Sequence, residues 1–127
     1  MAVRSVKELN VYRQGYALAM EIFRVSKGFP AEEKYSLTSQ IRRCSRSVCL
    51  NLREAWAKRR YRAHFTSKLT DCDGENSETD SCLDFAKDCG YLSEEKHREL
   101  ASQVKEVGKM LGSMITRPNP FLLTPDS

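Results

Sequence analysis

Apolar residues recur three and four positions apart along most of the chain, and no stretch keeps a long alternation of apolar and polar residues. That spacing belongs to amphipathic helices and not to strands. Breaks at Gly28-Phe29-Pro30, around Arg60 to Arg62, at Gly90-Tyr91-Leu92-Ser93 and at Arg117-Pro118 divide the chain into four long segments. The pattern predicts an all-α fold, an antiparallel up-down four-helix bundle with helices over about Val6 to Lys27, Glu33 to Lys58, Arg62 to Asp88 and Glu94 to Arg117. The bundle fills residues 1–117 as one domain. A tail over 118–127, carrying Pro118 and Pro120, cannot continue the last helix and is expected to be loose or docked across a neighbour.

The first segment has two apolar stripes. Leu9, Tyr12, Tyr16, Ala19, Met20 and Phe23 share one side, and Val11, Leu18, Ile22 and Val25 share nearly the opposite one. One bundle core cannot bury both, so one stripe is expected in a subunit interface; Val11, Leu18, Ile22 and Val25 are taken as that oligomer contact. In the second segment Leu37, Ile41, Cys44, Val48, Leu52 and Ala55 form the inner face, while Arg42, Arg46, Arg53 and Arg60 line up outside if the helix runs that far. The third segment keeps phase through Phe65, Leu69, Cys72, Leu83 and Ala86, but Asp73 to Ser81 is almost wholly polar. In the fourth, Ser93 is placed to cap a helix whose stripe is Leu100, Val104, Val107, Leu111, Met114 and Ile115, with Gly108 and Gly112 permitting close approach of a neighbouring helix.

At 127 residues, 40% hydrophobic and 30% charged, the chain has the composition of one ordinary globular domain. No apolar run approaches the roughly 20 residues of a membrane span, and no secretion signal opens the sequence, so a cytoplasmic protein with no membrane partner is expected. Five cysteines, odd in number and without a Cys-x-x-Cys pair, read as reduced thiols. His64 and His97 fall at no ligand spacing to them, and no metal site is expected. An alternating Asp71, Asp73 and Glu75 suggests a calcium loop, but Gly74 stands at its fourth position where the sixth is needed and Cys82 at its twelfth.

Charge is unevenly spread: the formal balance is only +4, yet from Ile41 to Lys68 nine basic residues face the single acid Glu54, and from Asp71 to Glu99 acids dominate. Arg42, Arg43, Arg46, Lys58, Arg59, Arg60 and Arg62 are therefore candidates to bind nucleic-acid phosphates, with Trp56, Tyr61 and Phe65 near enough to stack on bases. The alternative is a protein-only scaffold whose basic face docks on an acidic partner, including the acidic third helix of another subunit. No phosphate loop, nucleophile elbow or metalloprotease motif occurs, so no enzyme and no cofactor are expected. Gln40, Asn51, Glu54 and Glu78 are expected as a buried polar network that fixes helix register.

Phe29-Pro30, Glu33, Leu37, Gln40-Ile41-Arg42-Arg43, Ser47-Val48, Asn51-Leu52 with Glu54, Gly74, Glu78, and Ala86-Lys87-Asp88 leading to Gly90-Tyr91-Leu92-Ser93 resemble a four-helix-bundle family. It is the family of proteins encoded in intervening sequences of bacterial 23S ribosomal RNA genes, and the likeness runs from about Leu9 to Ile115. The chain departs from it at Glu54-Ala55, where the family usually has Glu-Gly, and in the polar third helix. The resemblance implies an up-down bundle assembled as a homopentameric ring. It also implies kinship with the accessory protein of diversity-generating reverse transcriptases, which binds nucleic acid and its polymerase through a basic surface. The function expected is a noncatalytic binding or adaptor module whose partners are further copies of itself, RNA or DNA, and a reverse transcriptase or other protein.

Overall fold

The computed structural model describes residues 3–123, and among these it contains four α-helices and no strand. They are α1 (Asn10–Ser26), α2 (Leu37–Ala57), α3 (Arg62–Asp88) and α4 (Glu94–Thr116), with short 3-10 turns at Val6–Glu8, Ala31–Glu33 and Asn119–Phe121. Two starts lie later than the hydrophobic pattern alone suggests. Ser5 caps the turn at Val6–Glu8 and the chain then passes through an extended Leu9 before α1 begins. Glu33 ends a separate turn, and its Oε1 accepts from the Ser36 hydroxyl (2.6 Å) and the Leu37 amide (3.2 Å), so α2 begins at Leu37. Ser93 caps α4 as its position predicts, accepting from the Lys96 amide at 3.0 Å.

Cooperative burial of one face per helix holds the molecule together. Ile22, Ile41, Leu52, Phe65, Leu69, Leu83, Leu100 and Leu111 are among the side chains wholly removed from solvent, each contributing about 1.5–3 kcal/mol relative to exposure. Helix α1 packs on α2 and α4, and α3 packs on the same two. Contacting pairs run in opposite sequence order: Arg43 meets Glu78 while Glu54 meets Lys68, and Asn76 meets Val104 while Asp84 meets His97.

The stripe of α1 expected to form an oligomer contact is instead the core stripe. Val11, Leu18 and Ile22 are buried inside the chain and Val25 is half-buried against them, because this side of α1 joins the hydrophobic core between the helices. On the other stripe Leu9 and Ala19 are also covered, Tyr12 and Phe23 are half-buried, and only Tyr16 and Met20 stand out.

The polar stretch from Asp73 to Ser81 is continuous helix within α3. Its inward positions are Asn76 and Thr79 in place of aliphatics. The Thr79 hydroxyl lies 2.9 Å from the Glu75 carbonyl and 3.2 Å from Cys44 Sγ, so its helix backbone and a neighbouring thiol satisfy it. Helix α3 stops at Gly90, whose φ of 83° needs a residue without Cβ; the Gly90 amide donates to Lys87 O and the Tyr91 amide to Ala86 O. Of the tail, residues 118–123 are described and 124–127 lie outside the described residues. Pro118 and Leu122 are buried, Phe121 packs on Phe65 with ring centres 6.3 Å apart, and the Leu123 amide donates to Arg59 O at 3.2 Å. This part of the tail is thus docked on its own chain.

Candidate nucleic-acid interface

The seven basic residues singled out from the sequence fall into three settings. Arg42 is half-buried beside α1, donating to Ser26 Oγ (2.7 Å) with its guanidinium 4.8 Å from the Phe23 ring centre. Arg43 turns the other way, toward α3, and pairs with Glu78 (2.7 Å) and Glu75 (3.4 Å), whose carboxylates raise its pKa. Both are engaged within the chain. Arg46 is exposed on the outer side of α2 and borders Phe23 at 5.7 Å.

The remaining four cluster where α2 gives way to α3. Helix α2 ends at Ala57, before Arg60, so Arg60 leaves the outer arginine line and joins the turn. Arg59 lies flat on Trp56, 3.7 Å from the ring centre, and donates to Trp56 O at 2.8 Å; burial draws its pKa below the ordinary guanidinium value. Lys58, Arg60 and Arg62 project into solvent and make no ion pair with any described residue. Beside them Tyr61 is exposed, edge-on to His64 at 5.4 Å. Phe65, expected to stack on bases, is fully buried because α3 turns it inward beneath Phe121, so it is unavailable. Trp56 is half-covered by Arg59.

The four polar residues expected as a buried network lie on the rim of the α2–α3 seam, not inside it. Gln40 and Glu54 are exposed and Asn51 and Glu78 are half-buried. Gln40 Nε2 donates to Glu78 Oε2 (3.3 Å), Asn51 only to Ser47 O (2.9 Å), and Glu54 pairs with Lys68 (3.0 Å). Their helical phase lies one step outside Ile41 and Leu52, where water still reaches. Among the described residues the buried polar side chains are Ser26, Thr38, Ser45, Asn76 and Thr79.

At the opposite end of the helices, residues quoted for the family likeness meet across two connections. Glu33 Oε2 accepts from the Tyr91 hydroxyl at 2.8 Å, Tyr91 tilts against Phe29 with ring centres 5.6 Å apart, and Gly90 supplies the turn that brings it there. The Ser36 hydroxyl first and this bond second lower the Glu33 pKa, and the same bond pushes Tyr91 up to about 12. It bolts the α1–α2 connection to the α3–α4 connection.

Over this fold and these contacts, the family model of 23S rRNA-intervening sequence proteins matches residues 7–113. The chain belongs to that family. A crystal structure of a protein with unknown function from the S23 ribosomal protein family of Bacteroides thetaiotaomicron is similar to it, at 28% identity and a TM-score of 0.75. The match covers 84% of this chain and 95% of the other. No curated protein matches the sequence. The bolt and the α2–α3 seam both lie within the part matched to the 23S rRNA-intervening sequence family, whereas Phe121 and Leu123 lie beyond it. No described helix is long and apolar enough to cross a membrane.

Proposed function

We propose that this protein is a noncatalytic, oligomeric adaptor that binds RNA or DNA phosphates through the α2–α3 turn. The observation that carries the reading is the set of Lys58, Arg60 and Arg62, three exposed cations within five residues and unpaired among the described residues, flanked by Tyr61. Unneutralised cations at a turn gain most from releasing counterions, and an adjacent aromatic offers a base a stacking face. The frame is an antiparallel up-down bundle, which the opposed sequence order of the contacts between α2 and α3 and between α3 and α4 supports. A homopentameric ring and a reverse transcriptase as protein partner are what the family resemblance adds. Five free thiols suit a reducing cytoplasm.

The test is fluorescence anisotropy with a labelled RNA duplex and its DNA counterpart. Affinity should fall linearly with salt on logarithmic axes, by about 0.9 per phosphate contact, and Lys58→Ala/Arg60→Ala/Arg62→Ala should flatten the slope by up to about 3 per subunit engaged. Absence of binding at about 50 mM salt with the oligomer intact would favour the protein-only scaffold. The pairing of Arg43 with Glu75 and Glu78 supports that second reading, since it shows basic α2 already matched to acidic α3 within one chain. A slope untouched by the substitutions would reject this surface.

A further inference from the structure

An open groove of about 720 Å³ runs along the α3–α4 seam, lined among others by Asp73, Asn76, Ser77, Asp80, Lys105 and Gly108. Small side chains make its floor, and a Cβ on Gly108 would stand 3.4 Å from Asn76 Nδ2. Asn76 is 4% exposed; its Nδ2 donates to Val104 O at 3.0 Å, which fixes the orientation of the amide. Its Oδ1 is left without a hydrogen-bond partner among the described residues. On the rim, Asp73 and Asp80 make no ion pair with a described residue. The groove therefore presents two unpaired carboxylates against the single Lys105 ammonium, above a floor that holds the unanswered Asn76 Oδ1, and its net negative rim suits guanidinium groups.

A matching element stands on the same chain. The outer side of α2 carries Arg46, Leu50 and Arg53, all exposed, with Leu50 62% exposed and neither arginine in an ion pair with a described residue. Arg46 and Arg53 are seven residues apart, as are Asp73 and Asp80, so each pair spans about 10.5 Å along one helix face. Leu50 falls between the arginines as Ser77 falls between the aspartates.

We propose that the Arg46-Leu50-Arg53 ridge of one copy seats in the α3–α4 groove of a second copy. Each arginine meets an aspartate, and Leu50 covers the small-residue floor that holds Asn76. This rests on the oligomeric reading above and names the contact behind it. Ridge and groove are different surfaces of one protomer, so the contact is head-to-tail and generates a ring wherever the rotation closes. A ridge meeting another ridge would gather four arginines without an acid, which disfavours a two-fold dimer through α2. The surface also separates two basic regions: Arg46 and Arg53 serve assembly, and Lys58, Arg60 and Arg62 remain free for phosphate.

Sedimentation velocity on the full chain at micromolar concentration tests it, with circular dichroism to check helix content. Arg46→Glu/Arg53→Glu and Asp73→Lys/Asp80→Lys should each convert the oligomer to a 14.6 kDa monomer, and the four changes combined should restore it. Leu50→Asp should dissociate it as well, and it stands in for either charge reversal that fails to fold. A wild-type monomer would overturn the oligomeric reading together with this contact. A wild-type oligomer that survives both charge reversals, or is not regained by the folded fourfold variant, would overturn this contact alone.

Discussion

Cys89 is the only cysteine of the five that solvent reaches, since Cys44, Cys49, Cys72 and Cys82 are buried between helices. Burial also pushes the Cys49 thiol up to about 11 and the Cys72 thiol up to about 12, so neither supplies thiolate near neutrality. Titration with a chromogenic disulfide should register one fast thiol in the native protein and all five after denaturation; a second fast thiol would contradict the packing. Glu33 and Tyr91 give a pH signature. Glu33, held low by Ser36, Tyr91 and the Leu37 amide, and Glu21, held low by Lys96 and Arg24, contribute stability that is present above the ordinary carboxylate pKa and lost as pH falls through it, below about 4.3. Tyr91 works in the other direction: its phenol keeps its proton to about 12, so its contribution is intact below the ordinary tyrosine value and lost between there and about 12. Thermal melts across pH should show both flanks, and Tyr91→Phe should shrink the alkaline one, leaving the part that the raised Cys49 and Cys72 thiols contribute. The pairing of Glu33 with Tyr91 could not be read from spacing, because 58 residues separate them. Only the turn at Gly90 hints that Tyr91 folds back.

Helices were legible wherever apolar periodicity was strong, and α3 and α4 begin at the expected residues. The first turns of α1 and α2 were not, since 3-10 turns satisfy the same three- and four-residue spacing over so few positions. Glycines inside α3 and α4 separate backbone cost from packing need. A Cβ at Gly74 or Gly112 would meet nothing within 4 Å, so Gly74→Ala and Gly112→Ala should each stabilise the chain by about 0.5–1 kcal/mol in urea denaturation. Gly90→Ala should instead destabilise it by roughly 1 kcal/mol or more, because the left-handed φ remains. Phe65→Ala, which empties the space between α3 and the docked Phe121, should cost about 3–5 kcal/mol.

For the whole molecule, the assignment of faces decides what a charge on α1 does. Ile22→Lys places an ammonium group in the core of the chain, so the expected outcome is loss of helical signal and not a folded chain with an altered surface. Circular dichroism distinguishes the two. Two apolar stripes on α1 were visible in the sequence, but which one faces inward depends on how α2 and α4 flank it, and that is a property of the packed helices together. The candidate site was legible as a cluster of cations. Its division into paired Arg42 and Arg43 and unpaired Lys58, Arg60 and Arg62 was not, because it depends on acids and carbonyls supplied by other helices. Cys89 closes the far end of α3, 27 residues and therefore about 40 Å along the helix from the Lys58-to-Arg62 turn. A single fluorophore placed there would need no introduced cysteine, would stand clear of the proposed phosphate contacts, and would turn α3 into a ruler for how far a labelled strand lies from that turn.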